Sequence, residues 1–389
     1  MPPSPERIAI KGFKSIRETE IELRPLNVLI GANGSGKSNF IEVFRLLRSL
    51  IAGGLGEYVP RNGGAGTLLH LGLKRTGQVS LEVGFGEYGY HAELMPTVQD
   101  SLVFRQESCW SGASRDEADS LGRGHSESRL REAWSELAAQ ANRRAMAWDA
   151  SVHAGAREQA LRRSPVRRVL DSIEGWTINH FHDTSSSAPV KLTGDISDNQ
   201  SLRPDAGNLA AFLHLLQEQH APRYRQIVDT VRLAAPFFKD FVLQPVRQKS
   251  DTIRLEWRHR GTDAYFDASS LSDGTLRFMC LATLLLQPAL EETEATLIID
   301  EPELGLHPYA ITLLASMLRE AASRATVIVS TQSVSLVNQF DPEDVIVVDR
   351  EDEASVFRRL SQDDLAHWLQ DYGLGDLWEK NVIGGRPTR

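Results

Sequence analysis

The chain has 389 residues, which is long enough for two or three units of ordinary size or for one body with insertions. Its 41% hydrophobic and 24% charged residues match an average globular protein, so the composition excludes a fibrous or largely disordered chain. The formal net charge is −9, so a nucleic-acid partner would have to meet a local basic patch. We expect one interwoven body with lobes.

Cysteine content and hydropathy indicate the cellular compartment of the protein. The two cysteines, Cys109 and Cys280, match no zinc-binding spacing, and we interpret them as buried structural thiols. The N-terminus has no apolar stretch of signal-peptide length, and the most apolar later run, 278–290, is too short to span a bilayer. The sequence therefore predicts a cytoplasmic protein with no membrane partner.

The first hundred residues alternate between strand, loop and helix patterns. A buried strand that ends at a glycine-rich loop and leads into a periodic helix is the context that a phosphate-binding loop requires. The glycine-rich stretch after this helix predicts a mobile loop, and the two alternating runs that follow predict a small antiparallel sheet. The expected elements are strands 7–16 and 26–30, helix 38–50, loop 51–66, and strands 78–87 and 90–98.

A helical insertion follows. Helical periodicity covers 129–150 and 156–173, and Pro165 interrupts the second pattern. Two helices of about 20 residues at about 1.5 Å per residue would project only about 30 Å. The insertion is therefore predicted to form a short arm.

The C-terminal half predicts an α/β sheet. Asp205 is a candidate cap for the helix 208–219, and a hairpin-like pair of strands leads into Leu271. Helices and strands then alternate, which favours a parallel sheet completed by strands from both ends of the chain. The further expected elements are helix 224–234, strands 241–248 and 252–260, helix 275–287, strand 296–300, helix 308–322, and strands 326–330 and 344–349.

The loop after the strand 26–30 matches the P-loop pattern, with the sequence GANGSGKS. Its glycines let backbone N–H groups curl around a β-phosphate, and the following helix N-terminus adds positive potential. Lys37 is expected to reach the β- and γ-phosphates of ATP, and Ser38 to bind Mg²⁺. The predicted nucleotide-binding residues here are Gly31, Ala32, Asn33, Gly34, Ser35, Gly36, Lys37, Ser38 and Asn39.

The strand 296–300 ends in two adjacent carboxylates at the sheet edge where α/β proteins bind ligands. Asp300 is predicted to bind Mg²⁺, directly or through water. Neighbouring strand-end residues point in different directions, so Glu301 can take a separate role and polarise the attacking water. Alone such a motif is weak, but together with a P-loop it indicates an ATPase.

The segment LSDGT at 271–275 begins a helix upstream of these carboxylates, and its hydroxyl and amides form a second candidate anion site. It resembles the ABC signature. Together with IKGFKSI, GANGSGKSN, SDGTLRF, IIDEPELGLHP and VIVSTQSV, the chain resembles SMC/ABC-like bacterial AAA ATPases, in particular a "predicted ATPase" group related to the ATPase part of OLD-family nucleases. The similarity covers most of the chain except 110–170.

This resemblance implies a dimer in which the signature of one subunit, at Ser272, Asp273 and Gly274, touches ATP on the P-loop of the other. It also implies that 303–307, including His307, is the D-loop region at the dimer interface, and that 330–332 is the switch. Many relatives carry a histidine in the switch, whereas this chain has Gln332, which cannot carry charge. Hydrolysis is therefore expected to be slow or regulated, or Gln332 is a neutral family variant.

The same resemblance implies a Q-loop glutamine that helps to bind Mg²⁺. Gln106, after the strand pattern SLVF, is the candidate, and Gln99 is its rival. The implied fold is α/β, an ABC/SMC-head-like P-loop NTPase with a mixed central sheet, a flanking antiparallel β subdomain and a helical insertion. The expected units are 1–109 (N-terminal lobe), 110–175 (insertion), 176–350 (C-terminal lobe) and 351–389 (extension).

Several basic and histidine residues allow more than one interpretation. Lys11, Lys14 and Arg17 could approach nucleotide or nucleic acid, or belong to a solvated face. His180 and His182, with Asp183, could be a metal site but favour packing and hydrogen bonding. The arginine-rich insertion could bind DNA, dock a partner or be a solvated helical face. Its arginines are Arg123, Arg129, Arg131, Arg143, Arg144, Arg157, Arg162, Arg163, Arg167 and Arg168.

The motifs predict an ATP- and Mg²⁺-dependent conformational switch that closes as a homodimer or higher homo-oligomer. By family analogy it would act in DNA-related defence against phage or in repair, with a separately encoded effector protein. The alternative is a nucleotide-gated scaffold that sequesters a partner and hydrolyses little. No constellation typical of a nuclease is present beyond the strand-end carboxylates.

Overall fold

The computed structural model describes residues 4–112, 118–146, 159, 161, 163–246, 249–288 and 295–386. Its strands are β1 (Arg7–Phe13), β2 (Ile16–Glu22), β3 (Leu26–Ile30), β4 (Val79–Phe85), β5 (Tyr88–Pro96), β6 (Leu102–Ser111), β7 (Asp119–Gly122), β8 (Trp176–Asn179), β9 (Gly194–Asp195), β10 (Phe238–Val242), β11 (Thr252–Ile253), β12 (Glu256–His259), β13 (Tyr265–Asp267), β14 (Thr296–Asp300), β15 (Thr326–Thr331), β16 (Val345–Glu351) and β17 (Ala354–Arg359).

The α-helices are named in the same way. They are α1 (Lys37–Ala52), α2 (Leu55–Arg61), α3 (Ala65–Leu68), α4 (Leu130–Met146), α5 (Pro165–Glu174), α6 (Leu209–Gln219), α7 (Ala221–Ala234), α8 (Asp273–Leu286), α9 (Pro308–Ala322), α10 (Val334–Val337), α11 (Gln362–Leu365) and α12 (Leu374–Glu379). Among these helices, none combines the length and apolar character that a membrane span requires.

The central sheet has six strands in the order β17-β16-β3-β15-β14-β8. All neighbours from β16 to β8 run parallel, and only β17 is antiparallel, so the sheet is mixed. Every residue of β3 is buried, as expected for a strand covered on both faces. The predicted mixed central sheet with strands from both ends of the chain is confirmed.

Alternate residues of the central strands face two different cores. Leu29 and Ile328 pack with α1 and with the six-stranded antiparallel sheet, whose order is β2-β1-β4-β5-β6-β7. Val28 and Val329 pack on the other side with α6 to α10. The alternating pattern of β4, VSLEVGF, buries every second side chain in the first core. The central sheet is therefore sandwiched between the antiparallel sheet and a layer of helices.

The N-terminal region differs from the sequence prediction in two places. The expected strand 7–16 is a hairpin of β1 and β2, because the chain turns at Lys14, which has a φ of 47°. The expected loop 51–66 contains α2 and α3. Burial of Leu55 and Val59 stabilises α2 despite the surrounding glycines.

One helix start differs. Asp205 does not cap α6, because its carboxylate accepts from the N–H of Gly207, and Asn208 is the residue before the helix. Near Pro165 the described residues 159 and 161 are helical, the helix breaks at 163–164, and Pro165 then occupies the first turn of α5, where its missing N–H costs nothing. The segment between α4 and α5 lies largely outside the described residues.

The unit boundaries predicted at 109/110 and 350/351 both fall inside strands. β6 continues through Ser111, and β7 extends the antiparallel sheet into the expected insertion. β16 continues to Glu351, and β17 of the expected extension is an edge strand of the central sheet. Those two boundaries are therefore wrong, because strand pairing joins the segments on either side.

Candidate functional site

The carboxyl ends of four parallel strands meet at one edge of the central sheet. Ile30 of β3 lies in register with Thr331, Ser330 with Asp300, and Ile299 with Asn179. The P-loop, the switch and the strand-end carboxylates therefore follow neighbouring strands. This is the edge at which open α/β sheets bind ligands.

The P-loop gives α1 an uncapped N-terminus. Gly36 precedes the helix with a φ of 121°, no side chain caps the first turn, and no acidic residue lies in it. A Cβ at Gly36 would lie 2.0 Å from Oγ of Ser355, so only glycine fits this approach. The exposed hydroxyl of Ser38 follows on the first turn. The helix start therefore offers free amides and a hydroxyl, which fit an anion with a bound Mg²⁺.

Lys37 turns its ammonium back into the loop. Its Nζ donates to the carbonyls of Gly31 at 2.5 Å and Ala32 at 3.0 Å. Burial lowers the pKa of Lys37, while the carboxylates of Glu301, Asp300 and Glu303 act in the opposite direction. The side chain thus has a positive charge at the centre of the loop, where phosphate oxygens can replace the carbonyl acceptors.

Further hydroxyls surround the loop. Oγ of Ser35 is buried and has no hydrogen-bond partner within the described residues. The Ser355 hydroxyl donates to the Ser35 carbonyl, its oxygen lies 2.7 Å from Ser15 Oγ, and Asn39 Nδ2 donates to Ser15 Oγ at 2.7 Å. Asn39 thus anchors the β1–β2 turn beside the loop. An unpartnered buried hydroxyl in a phosphate-binding loop fits a site that a phosphate oxygen would complete.

The strand-end carboxylates have different partners. The Ser330 hydroxyl donates to Oδ1 of Asp300, and Gln332 Nε2 donates to Oε1 of Glu301. Glu301 has a φ of 43°, in the left-handed region that non-glycine residues rarely adopt, and its N–H donates to the Ser330 carbonyl at 2.9 Å. This backbone turn separates the two carboxylates and directs Glu301 towards the switch.

The Glu303 carboxylate accepts hydrogen bonds from the switch. One of its carboxylate oxygens accepts from the Thr331 hydroxyl at 2.6 Å and from the Gln332 N–H at 3.1 Å. Burial raises the pKa of Glu303. The side chain was predicted only as part of the D-loop region, and its hydrogen bonds with the switch were not expected from the sequence.

The signature segment begins α8. Ser272 is the N-cap, and its Oγ accepts from the Thr275 N–H at 3.2 Å. Ser272 and Asp273 are exposed. A Cβ at Gly274 would lie 2.1 Å from the carbonyl oxygen of Gly305, so the signature backbone packs directly on the turn after the carboxylates. His307 caps the next helix, α9, with Nδ1 accepting from the Tyr309 N–H at 3.3 Å.

Arg277 is a functional candidate that the sequence prediction missed. It is only 6% exposed, and it donates to the carbonyls of Phe181, His182 and Leu304. It therefore ties the signature helix to the turn after β14 and to the loop after β8. Its sequence signal was a lone arginine in the second turn of an apolar helix.

His180, which the sequence allowed as a metal-site or packing residue, follows β8 at the nucleotide edge. Its pKa is lowered first by burial, then by Arg45, with Asp300 acting in the opposite direction. Within the described residues no group of three or more His, Cys, Asp or Glu side chains could hold a metal ion.

The Q-loop candidates lie in the antiparallel sheet and in its β5–β6 turn. Gln106 lies inside β6, not after it, because the strand continues through the supposed loop, and it pairs with Glu93 of β5. Gln99 lies exposed in the turn between β5 and β6. Binding of Mg²⁺ by either glutamine stays a prediction.

Several basic side chains of the candidate surfaces contact acidic side chains or an aromatic ring. Lys11 forms an exposed ion pair with Glu18, and Lys14 lies over the ring of Phe13. In the described part of the insertion, Arg131 contacts Glu174 at 2.6 Å and Arg167 contacts Asp171 at 2.7 Å. Arg157 and Arg162 lie outside the described residues. These pairs favour a solvated helical face over a continuous phosphate-binding surface.

The two cysteines are buried and unbonded, as the sequence predicted. Burial raises the pKa of Cys109 to about 12 and that of Cys280 to about 12. Neither thiol therefore has the lowered pKa of a reactive cysteine.

A P-loop, strand-end carboxylates and a capped signature helix around a mixed sheet define a protein of the SMC/ABC-like AAA ATPase class. The family model described as "AAA domain, putative AbiEii toxin, Type IV TA system" matches residues 26–338, more than half of the chain. The chain therefore belongs to this family. A comparison with curated proteins gives no significant match.

Solved structures support the same fold. An Smc head bound to the C-winged helix domain of ScpA is 15% identical, with a TM-score of 0.54 over 94% of this chain and 100% of that chain. An Smc head domain with an extended coiled coil, bound to the C-terminal domain of ScpA and derived from Pyrococcus furiosus, is 15% identical, with a TM-score of 0.52 over 95% and 99%. The predicted SMC-head-like fold is thereby confirmed.

Proposed function

We propose that the chain binds and hydrolyses ATP with Mg²⁺ and works as a dimeric conformational switch. In the closed dimer the P-loop of one subunit and the signature of the other enclose each ATP. Bound Mg²⁺ would supply positive charge to the β- and γ-phosphate oxygens. Hydrolysis would reopen the dimer and move the helical insertion.

The observation that carries this proposal is the hydrogen bond from Gln332 to Glu301, next to a P-loop lysine whose ammonium is directed into its own loop. Glu301 would orient the attacking water, and Gln332 would hold the carboxylate in place. Ser38 and Asp300 would hold the metal. Since Gln332 is neutral, it adds no positive charge in the transition state, which supports slow hydrolysis.

The substitution Glu301→Gln tests this assignment. We expect kcat to fall about 100-fold or more, because general-base assistance is lost, while ATP still binds. The variant should accumulate as an ATP-dependent dimer, measured by size exclusion with light scattering. Glu20→Gln, a change in an exposed ion pair with Arg7, is the matched control. Unchanged turnover in Glu301→Gln would refute the role of this carboxylate.

We propose that the switch serves DNA-related defence or repair through a separately encoded effector. The family description names a toxin–antitoxin system, which supports a separate partner but is a statement about the family. The alternative is a nucleotide-gated scaffold that sequesters a protein partner. The neutral Gln332 favours this alternative because a scaffold needs little turnover.

Turnover with and without DNA separates the two proposals. We expect DNA to stimulate hydrolysis and to retain the protein in a salt-dependent manner. Arg143 and Arg163 are exposed on the described part of the insertion, so the double variant Arg143→Gln, Arg163→Gln should weaken retention. If DNA neither binds nor stimulates turnover, the scaffold is the better description.

A further inference from the structure

The last described segment of the chain folds back on the nucleotide edge. We name residues 373–385 the C-terminal clasp. It contains α12, and Leu377 and Ile383 are buried in the core beneath the helical layer. One end of the clasp contacts the helix after the switch, and the other end contacts the P-loop.

The first contact is with α10, which begins immediately after the switch, with Ser333 as its N-cap. The Gly375 N–H donates to Oδ1 of Asn338 at 2.6 Å. A Cβ at Gly375 would lie 2.3 Å from the carbonyl oxygen of Val334, which is closer than real side chains approach. The backbones of α10 and α12 therefore touch, and a side chain at this position would push them apart.

The second contact is with the base of the P-loop. The Gly385 N–H donates to Oδ1 of Asp349 at 2.7 Å, and its carbonyl accepts from Trp378 Nε1 at 3.2 Å. Gly385 has a φ of 81°, and a Cβ on it would lie 3.4 Å from Cα of Gly31. Gly31 is also the residue whose carbonyl accepts from Lys37. The clasp is thus held on β16, which pairs with β3, the strand that leads into the loop.

A continuous set of contacts therefore runs from the candidate catalytic carboxylate to the P-loop. It passes from Glu301 to Gln332, through α10 to the clasp, and from Gly385 through Asp349 of β16 to β3, the strand that leads into the P-loop. We propose that the C-terminal clasp is a positioning element of the nucleotide site, which fixes the switch glutamine relative to the P-loop. This inference rests on the proposed ATPase function.

The clasp affects the hydrolytic step more than ATP binding. Displacement of α10 would move Gln332 and misplace Glu301, and a shift of about 1 Å in a catalytic arrangement can cost about 100-fold in rate. The ammonium of Lys37 and the amides of α1 would still bind phosphate. Coupling between binding sites is reciprocal, so a clasp that leaves the ATP affinity nearly unchanged is itself little stabilised by ATP.

Steady-state hydrolysis and equilibrium ATP binding of Gly375→Ala test the proposal. We expect kcat to fall about tenfold or more, while the Kd for a fluorescent ATP analogue changes less than about threefold. Trp378→Phe keeps the packing and removes one hydrogen bond to Gly385, so kcat should fall about fivefold. Val382→Ala, at a 40% exposed position of the same segment, should change neither value.

Hydrogen exchange provides a second readout. Gly375→Ala should speed exchange of the amides in 334–338, and Val382→Ala should not. If Gly375→Ala and Trp378→Phe bind ATP and hydrolyse it at the wild-type rate, the clasp proposal is overturned. Equal losses of kcat and ATP affinity would show a merely structural role and overturn it too. Failure of the wild type to bind ATP would instead overturn the proposed function.

Discussion

Two buried glutamates differ in how many of their carboxylate oxygens accept hydrogen bonds. Glu303 lies at the nucleotide edge, and Glu107 lies at the base of the helical insertion. Glu107 uses both oxygens: it accepts from the Tyr90 hydroxyl at 2.7 Å, the Ser128 hydroxyl and the Arg129 N–H at 2.9 Å. Glu303 uses one oxygen, and within the described residues its other oxygen is buried without a partner.

This difference distinguishes a structural junction from a functional edge. Glu107 completes the start of α4 and fixes the insertion to the antiparallel sheet, so its three hydrogen bonds contribute to stability. Glu303 leaves part of its hydrogen-bonding capacity unused beside the switch, and Glu301 nearby has a rare backbone conformation. Local rules of folding are broken where the proposed chemistry takes place.

The largest expected effect is the loss of stability when Glu107, at the junction of the insertion and the antiparallel sheet, is replaced. Glu107→Ala leaves the Tyr90 hydroxyl and the Arg129 N–H buried without their acceptor, so the free energy of unfolding should fall by about 3 kcal/mol or more. Urea denaturation measures this loss. Glu107→Gln keeps one acceptor oxygen and should cost less. ATP binding by the folded Glu107→Ala protein should be unchanged, and a loss there would contradict the separation of the two regions.

A smaller effect is expected at the switch. Gln332→Ala removes the donor to Glu301 while Glu303 still anchors the backbone, so kcat should fall about tenfold, equivalent to about 1.4 kcal/mol. The ATP affinity should stay close to that of the wild type. Gln219→Ala, at the exposed end of α6, is the control. An unaltered kcat in Gln332→Ala would mean that Glu301 needs no positioning by the switch.

The smallest effect concerns the pH dependence of stability. Burial raises the pKa of Glu303 above its ordinary value of 4.5, so the folded protein holds this proton more tightly than the unfolded chain. The stabilisation is fully present below the ordinary pKa and is lost as pH rises through the folded pKa.

The variant Glu303→Gln should remove this dependence, because its side chain stays neutral. Relative to wild type, its free energy of unfolding should therefore be higher at about pH 8 than at about pH 4 by up to about 1 kcal/mol. Urea titrations at the two pH values check the sign. A difference that decreases with pH would show that hydrogen bonds to the carboxylate outweigh its burial.

The secure predictions from sequence came from local patterns. The P-loop with its flanking strand and helix, the strand that ends at Asp300 and the helix that begins at Ser272 all depend on spacing within a few residues. The hairpin at Lys14 was missed because no glycine or asparagine marks a turn that a lysine makes with positive φ.

The sequence could not predict which residues the fold brings together from distant parts of the chain. Gln106 has the residue type expected of a Q-loop, but strand pairing keeps it in the antiparallel sheet. His180 lies at the nucleotide edge only because β8 pairs with β14, more than a hundred residues away in sequence. The hydrogen bond of Gly385 to β16, which pairs with β3, likewise brings the two ends of the chain together.

Complementation between two inactive variants tests the central claim, that each ATP site is shared by two subunits. Lys37→Ala removes the P-loop lysine, and Ser272→Arg obstructs the exposed signature. Each should be inactive alone. Random mixing makes half of the dimers mixed, each with one intact site, so activity should return to about a quarter of the wild-type value. A mixture that forms dimers but stays inactive would contradict a shared site.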